Sequence, residues 1–213
     1  MLDLEPTKLA KLFISGSSDD NLMFFAPIPN FIFTRDIGIV INDFLLLNKP
    51  AKQARTREAL LAKYIFFNHP LFATSSKNIL EIPETHHHFL NPKESGERKV
   101  TLEGGDVMPI GNGTVLIGMG ERSSHQAIGQ VARALFAKGA ADRVVVAGLG
   151  RSRAAMHLDT VFSFCDRDLV TIFPEVANGI VPFTLRPDES RPGGIDVRRE
   201  DKPFVDVVAE SLN

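Results

Sequence analysis

The sequence reads as a propeller-like α/β chain in which one unit recurs about a pseudo-symmetry axis: acidic strand, tight turn, second strand, Arg-led helix. Three segments carry this reading. FTRD sets Asp36 ahead of IGIVINDFLLL, with an Asn42-Asp43 turn and Arg55 opening ARTREALLAKYIFF. LEGGDV sets Glu103 and Asp106 ahead of MPIGNGTVLIG, with an Asn112-Gly113 turn and Arg122 opening RSSHQAIGQVARALF. MHLDTVFSFCDRDLVTIF is a degenerate third copy, headed by His157 and Asp159, with an Asp166-Arg167 turn. Asp36 to Asn42 and Asp106 to Asn112 share one spacing, and the apolar runs that follow align without a gap. Repetition at a period of tens of residues means one supersecondary unit copied along or around an axis. Rotation would gather equivalent positions, so that four carboxylates and a histidine meet. Such a place suits a cation.

The elements follow in order. Glu5 to Phe13 is a short helix, ended by the loop SGSSDDN. Leu22 to Phe25 reads as an apolar strand, and Pro27 and Pro29 bracket a turn before Phe31-Ile32-Phe33. Asn42-Asp43 and Asn112-Gly113, each between apolar runs, are hairpin signals. Ala51 to Phe67 follows Pro50 and carries Leu60, Leu61, Tyr64 and Ile65 at helical spacing. Ser123 and Gln126 have capping-box spacing at the start of the second helix, and Gly139 is placed to end it. RVVVA, Arg143 to Ala147, reads as a buried strand, and Pro203 to Leu212 as the helix of the third copy.

Residues 1–213 read as a single domain, with 68–97 a polar loop or small insertion that contains His86-His87-His88. Strands near an axis with helices outside would leave an open arc after three units, exposing sheet edges that natural proteins avoid. The expectation is an incomplete ring, completed by forming a homo-oligomer or by a missing remainder of the chain.

Composition narrows the partners. The chain is 44% hydrophobic and 23% charged with a formal charge of -2, which leaves no electrostatic footprint for nucleic acid. MLDLEPTKLAKLF is helix-like and acidic, unlike a signal peptide, and no apolar run approaches a membrane span. A single cysteine, Cys165, excludes an internal disulfide and suits a reducing cytoplasm.

Asp36, Glu103, Asp106, His157 and Asp159, brought together, suit a guanidinium, whose several N–H donors pair bidentately with carboxylates. Packed carboxylates raise one another's pKa unless a cation sits between them. A histidine beside such a cation can pass protons to a leaving amine. Gly104-Gly105 allows close approach of the backbone, and Arg55 and Arg122 could clamp a carboxylate at the far end of an amino acid. Two other readings stay open at this point. His157 and Asp159 with a distal histidine could form the facial triad of a metal-dependent oxygenase. Alternatively, the chain is a non-catalytic guanidine-binding module.

Plainer readings stand beside these. Arg55 could pair with Glu58 or Asp43 on a surface, and Arg122 with Glu121. Cys165, flanked by VFSF, reads as inert packing. His86-His87-His88 reads as a solvated loop rather than a metal site, and His69 and His125 as surface residues.

Asn30 with FTRD, LEGGDV, GMGERSS and MHLDTVF resemble the signatures of arginine deiminase, a member of the guanidine-modifying superfamily. The resemblance implies a pentein-type propeller of ββαβ units around a central site, needing no cofactor or metal. It implies hydrolysis of L-arginine to L-citrulline and ammonia through a cysteine thiolate. Carried over by motif, Asp36 and Asp159 hold the guanidinium, and His157 is general acid and base with Glu103 beside it. Asp106 lines the same site, and Asn30, Arg55 and Arg122 grip the α-carboxylate and α-amino end. Cys165 follows the MHLD motif and does not stand at the family's nucleophile position. The expectation is that the nucleophile lies outside this chain and that the isolated chain is inactive.

Overall fold

The computed structural model describes residues 3–28, 30–83, 100–150 and 152–213. Helix α1 (Pro6–Ser15) ends on Gly16, whose φ of 78° lets its N–H return to the carbonyl of Leu12. The stretch from Leu22 to Phe25 is not a strand. It makes one isolated bridge, Ser17 to Met23, with the Phe24 and Phe25 N–H groups donating to Gly16 O and Leu22 O accepting the Ser18 N–H, so the local loop after α1 takes its backbone groups and Leu22, Met23 and Phe24 stay exposed.

The first unit opens with a single helical turn, α2 (Thr34–Ile37), which carries Asp36. Strands β1 (Ile39–Ile41) and β2 (Phe44–Leu46) then pair antiparallel across the Asn42-Asp43 turn, with Asn42 at φ 51°. A 3-10 turn (Gln53–Arg55) leads into α3 (Thr56–Asn68), and a 3-10 helix (Pro70–Asn78) leads into β3 (Ile79–Leu80), parallel to β2. The segment expected as a loop or insertion therefore supplies the unit's last strand; its residues 84–97, with the three consecutive histidines, lie outside the described residues. In α3 the apolar residues at helical spacing do not face the core. Leu60, Tyr64 and Ile65 are exposed, while Glu58 and Ala62 are the buried ones.

The second unit repeats the plan. A 3-10 turn (Gly104–Asp106) precedes β4 (Val107–Gly111), which pairs antiparallel with β5 (Thr114–Met119) around Asn112 at φ 47°. Helix α4 (His125–Ala137) crosses over to β6 (Arg143–Gly148), parallel to β5. Its cap is Ser124, which accepts the N–H of Ala127, and not the neighbouring Ser123. Gly139, at φ 64°, ends the helix, with Ala140 N–H returning to Leu135 O.

The third unit begins with a 3-10 turn (Leu158–Thr160), then β7 (Phe162–Phe164) and β8 (Val170–Ile172), antiparallel. Their connection is wider than a two-residue turn at Asp166-Arg167: the N–H groups of Cys165 and Asp166 both bond Leu169 O. A short helix α5 (Pro174–Ala177) and a hairpin, β9 (Val181–Pro187) and β10 (Ile195–Arg199), come before α6 (Phe204–Leu212). The hairpin joins the second unit's sheet, where β9 pairs antiparallel with β6, giving the order β10-β9-β6-β5-β4. Its alternating Val181, Phe183, Leu185 and Ile195, Val197, split by Pro192-Gly193-Gly194, is a hairpin pattern the unit repeat does not contain.

Two side chains show that the units are related by the same operation. Asn42 Nδ2 donates to Ala140 O just past α4, and Asn112 Nδ2 donates to Ser211 O in the last turn of α6. Each turn asparagine docks on the end of the following unit's helix, which makes α6 the helix of the third unit. The core has two compartments, one on either face of the second sheet. Val115, Ile117, Val144 and Val146 face α4 and the first sheet, with Ile39, Ile41 and Leu46. Leu116, Val145 and Ala147 face α6 and the third unit, where Phe162 and Phe204 meet edge-on at 5.3 Å. Burial on both faces explains why RVVVA is apolar at consecutive positions.

Candidate active site

The acidic position of each unit sits in a helical turn rather than a strand: Asp36 in α2, Asp106 in Gly104–Asp106, Asp159 in Leu158–Thr160. The three turns lie side by side, first against second and second against third. They are stitched by one repeated contact. Asp36 Oδ1 accepts the N–H of Gly105 at 3.2 Å, and Asp106 Oδ1 accepts the N–H of Leu158 at 2.9 Å. In both cases the donor is the residue just before the next unit's aspartate. Glycine is required at this seam: a Cβ on Gly104 would fall 2.1 Å from Arg35 O, and one on Gly105 2.8 Å from the His157 ring.

Glu103 is the centre of the cluster and is fully buried. Its Oε2 lies 2.8 Å from His157 Nε2 and 3.4 Å from Arg55 Nη1. Its Oε1 accepts the Ala51 N–H at 2.9 Å and has Arg122 Nη1 at 3.5 Å. The helix-opening arginines of the first two units thus approach the same carboxylate from opposite oxygens. Arg55 is also tied to Asp36 Oδ2 at 2.8 Å and to Glu58 Oε2 at 2.9 Å. Arg122 donates to Met156 Sδ at 2.8 Å and has Glu121 at 3.5 Å. The pairing of Arg55 with Glu58 is therefore real, but it is buried and belongs to the site instead of to a solvated surface. Asn30 reaches the cluster through its backbone, its N–H donating to Glu58 Oε1 at 2.8 Å.

Ser123 joins the two acidic residues of the second unit. Its Oγ accepts the Glu103 N–H at 3.2 Å and donates to Asp106 Oδ2 at 2.6 Å. Asp159 stands at the open side, its Oδ2 2.5 Å from Arg35 Nη2. The sequence marks Glu58 only as a surface partner of Arg55 and Ser123 only as a helix cap, and it does not single out Arg35; the one-turn step from Arg55 to Glu58 is the signal that links Glu58 to the cluster.

Burial pushes the Asp106 carboxyl up to about 6, against the Ser123 and Leu158 hydrogen bonds and the charge of His157. Burial alone would raise Glu103 too. The hydrogen bonds from His157 and Ala51, with the charges of His157 and Arg122, outweigh it and hold that carboxyl below its usual range. Burial would lower His157, but the bond to Glu103 and the charges of Asp106, Glu103 and Asp36 raise it. The site thus holds a charged Glu103–His157 pair beside a carboxyl that is half neutral near pH 6.

A guanidinium already fits among these carboxylates, since Arg55 Nη1 bridges Asp36 and Glu103. Two nitrogens of the cluster, Arg55 Nη2 and Arg122 Nε, are buried without a hydrogen-bond partner. Among the described residues, no group of three His, Cys, Asp or Glu side chains is spaced to hold a metal ion. Cys165 lies elsewhere, in the β7–β8 connection. It is exposed rather than packed, because the wide turn carries it out beyond the Phe162–Phe164 strand.

The sequence matches the arginine deiminase family over residues 2–213. The chain belongs to the arginine deiminase family. It is 29% identical over 228 residues to arginine deiminase of Mycolicibacterium gilvum (strain PYR-GCK), covering 98% of this chain and 52% of that protein. It is 28% identical over 227 residues to arginine deiminase of Rhodococcus erythropolis (strain PR4 / NBRC 100887), covering 98% of this chain and 51% of that protein. The chain spans about half the length of these curated arginine deiminases. In fold it is similar to dimethylarginine dimethylaminohydrolase from Pseudomonas aeruginosa, solved as a mutant with citrulline. The TM-score is 0.51 at 15% identity, covering 70% of this chain and 51% of that one. That likeness is one of architecture: the pentein-type α/β arrangement of repeated units. No helix among the described residues is long and apolar enough to cross a membrane.

Proposed function

We propose that this chain supplies the guanidinium-holding and proton-transferring part of an enzyme that hydrolyses L-arginine to L-citrulline and ammonia. One observation carries the reading: a fully buried Glu103 that contacts His157 and the guanidinium groups of Arg55 and Arg122 at once. A carboxylate enclosed in this way is stable only among cations, and its surroundings are already shaped for planar N–H donors.

Asp36 and Asp159 hold the substrate guanidinium. A cysteine thiolate from outside this chain adds to the guanidinium carbon, and His157, kept charged by Glu103, gives its proton to the departing ammonia. Neutral His157 then takes a proton from water, whose oxygen displaces the thiolate and leaves the ureido group of citrulline. Asn30, Arg55 and Arg122 grip the amino and carboxylate end, so a substrate without a carboxylate, such as agmatine, binds worse. Arg55 takes up that role by leaving Asp36. The oxygenase reading is less well supported: His157 Nε2 is engaged by Glu103 and Asp159 by Arg35.

The test is thermal unfolding of the chain with L-arginine or agmatine in the absence of metal. Saturable protection by arginine, weaker for agmatine, is expected. No change in melting temperature at millimolar arginine overturns the assembled site. Citrulline assays with and without the sequence that completes the ring address the nucleophile. The chain alone is expected to form none, and robust turnover by it would overturn the assignment of an external thiolate.

A further inference from the structure

Alternation along β6, β9 and β10 sends every second side chain to the face that carries α6. The β6–β9 ladder begins with Val144 opposite Leu185, so Arg143 and Arg186 flank it one residue beyond, close enough for the charge of one to act on the other, and the β9–β10 register sets Arg186 opposite Asp196. In the next row Val145, Thr184 and Arg198 are neighbours. Between this face and α6, at Val207 and Ser211, runs a groove of about 410 Å³, away from the Glu103 cluster.

The charges in the groove are unevenly matched. Arg198 pairs with Glu200 at 3.5 Å, and Lys202 pairs with Glu210. Neither Arg143 nor Arg186 forms an ion pair with a described residue, and Arg143 Nε is buried without a hydrogen-bond partner. Like charges close together on adjacent strands are unfavourable unless something lies between them. Burial and the charge of Arg186 both weaken the hold of Arg143 on its proton, while Asp142 and Glu200 only partly offset them. Asp196 lies across from Arg186 but makes no ion pair with it. Two neighbouring guanidinia with unused donors form a fork for a planar or tetrahedral oxyanion.

We infer that the groove between α6 and the β6–β9–β10 face is a second ligand site, in which Arg143 and Arg186 bind the carboxylate or phosphate of a small anionic metabolite. Thr184 stands beside the fork as a hydroxyl donor, and the groove has room for more than a bare anion. The site is independent of the guanidinium cluster, so neither its success nor its failure bears on the proposed hydrolysis.

The experiment uses the whole chain and two probes, inorganic phosphate and succinate, each against sodium chloride of equal ionic strength. Melting temperature should rise saturably by about 3–5 °C at ten times the dissociation constant. A response to phosphate alone assigns a phosphate-bearing ligand, a response to succinate alone a carboxylate, and either supports the site. Arg186→Gln, at an exposed position near the end of β9, should weaken binding at least about tenfold and leave protection by L-arginine intact, as expected for loss of a charge-assisted pair. Arg143→Gln should do the same, and heteronuclear NMR shifts confined to β6, β9 and α6 would locate the anion without any variant. No saturable response beyond that to chloride, or unchanged binding by Arg186→Gln, overturns the inference.

Discussion

His157 Nε2 lies 2.8 Å from an oxygen of Glu103 that no solvent reaches. Each residue keeps the other ionised. Because the folded pKa of His157 is raised, its contribution to stability is complete below its ordinary value and is lost as pH climbs through the raised one. Because that of Glu103 is lowered, its contribution is complete above its ordinary value and is lost as pH falls through the lowered one. The pair should therefore be intact across the whole window between the ordinary Glu103 and His157 values and be extended at both ends. NMR titration of the His157 ring is expected to show a midpoint above 6.5 that drops back toward or below it in Glu103→Gln.

Asp106 works in the opposite sense. Its folded pKa of about 6 exceeds the ordinary 3.8, so the folded state holds the proton more tightly, and stability from this group falls as pH rises between those values. The loss amounts to roughly 3 kcal/mol by linkage. Urea denaturation across pH 4 to 7 should show Asp106→Asn with a flatter profile than the parent. Asp106→Ala should be less stable by about 2–5 kcal/mol, since the Ser123 hydroxyl and the Leu158 N–H would both lose their acceptor.

Gly105→Ala is predicted to expel the His157 ring from its place. The new Cβ would sit 2.8 Å from ring atoms, and the imidazole is the part able to move. Overpacking of this kind costs about 1–3 kcal/mol. The more telling readout is the His157 titration, which should return toward the value of a histidine without a carboxylate partner. A Gly105→Ala protein with an unaltered titration would contradict the geometry.

Arg35 holds the aspartate that the proposed mechanism needs for substrate. The pair is 43% and 26% exposed at its two side chains, and exposed ion pairs contribute only about 0–1 kcal/mol. Arg35→Gln should thus leave the melting temperature nearly unchanged while tightening L-arginine several-fold in calorimetric titration. Weaker binding would mean that Arg35 positions Asp159 instead of competing for it.

Cys165→Ser should be silent in arginine binding, and silent in citrulline formation once the ring is completed, because the thiol stands exposed in the β7–β8 connection. Loss of activity in that variant would reopen the question of the nucleophile.

The parts of the fold that the sequence discloses are those fixed by local chemistry and repeated. Asn42 and Asn112 take positive φ where the turn demands it, and Asp36 and Asp106 keep their distance from these turns. The parts it conceals depend on contacts between units. Ser123 and Ser124 are equivalent as letters. Ser124 becomes the helix cap because its Oγ also accepts the Thr101 N–H, which frees Ser123 for Asp106. Leu22 to Phe25 has the composition of a strand but folds back on Gly16 to Ser18 in a local loop, with a single bridge. Leu60, Tyr64 and Ile65 have the spacing of a buried stripe, yet α3 turns Glu58 inward, because Arg55 must be neutralised there. Periodicity reports which residues share a face, and it is silent on whether that face or the charged one is covered.

The contact from Asp36 to Gly105, and its copy from Asp106 to Leu158, gives these carboxylates two employers. One oxygen is turned to side-chain partners while the other clasps the adjoining sector of the ring. Evolution toward a different ligand could not simply exchange such an aspartate for a hydrophobe or a base, since the joint between sectors would open with it. New specificity in this architecture has to come from residues whose hold on another unit is weak, such as Arg35, whose pair with Asp159 is exposed.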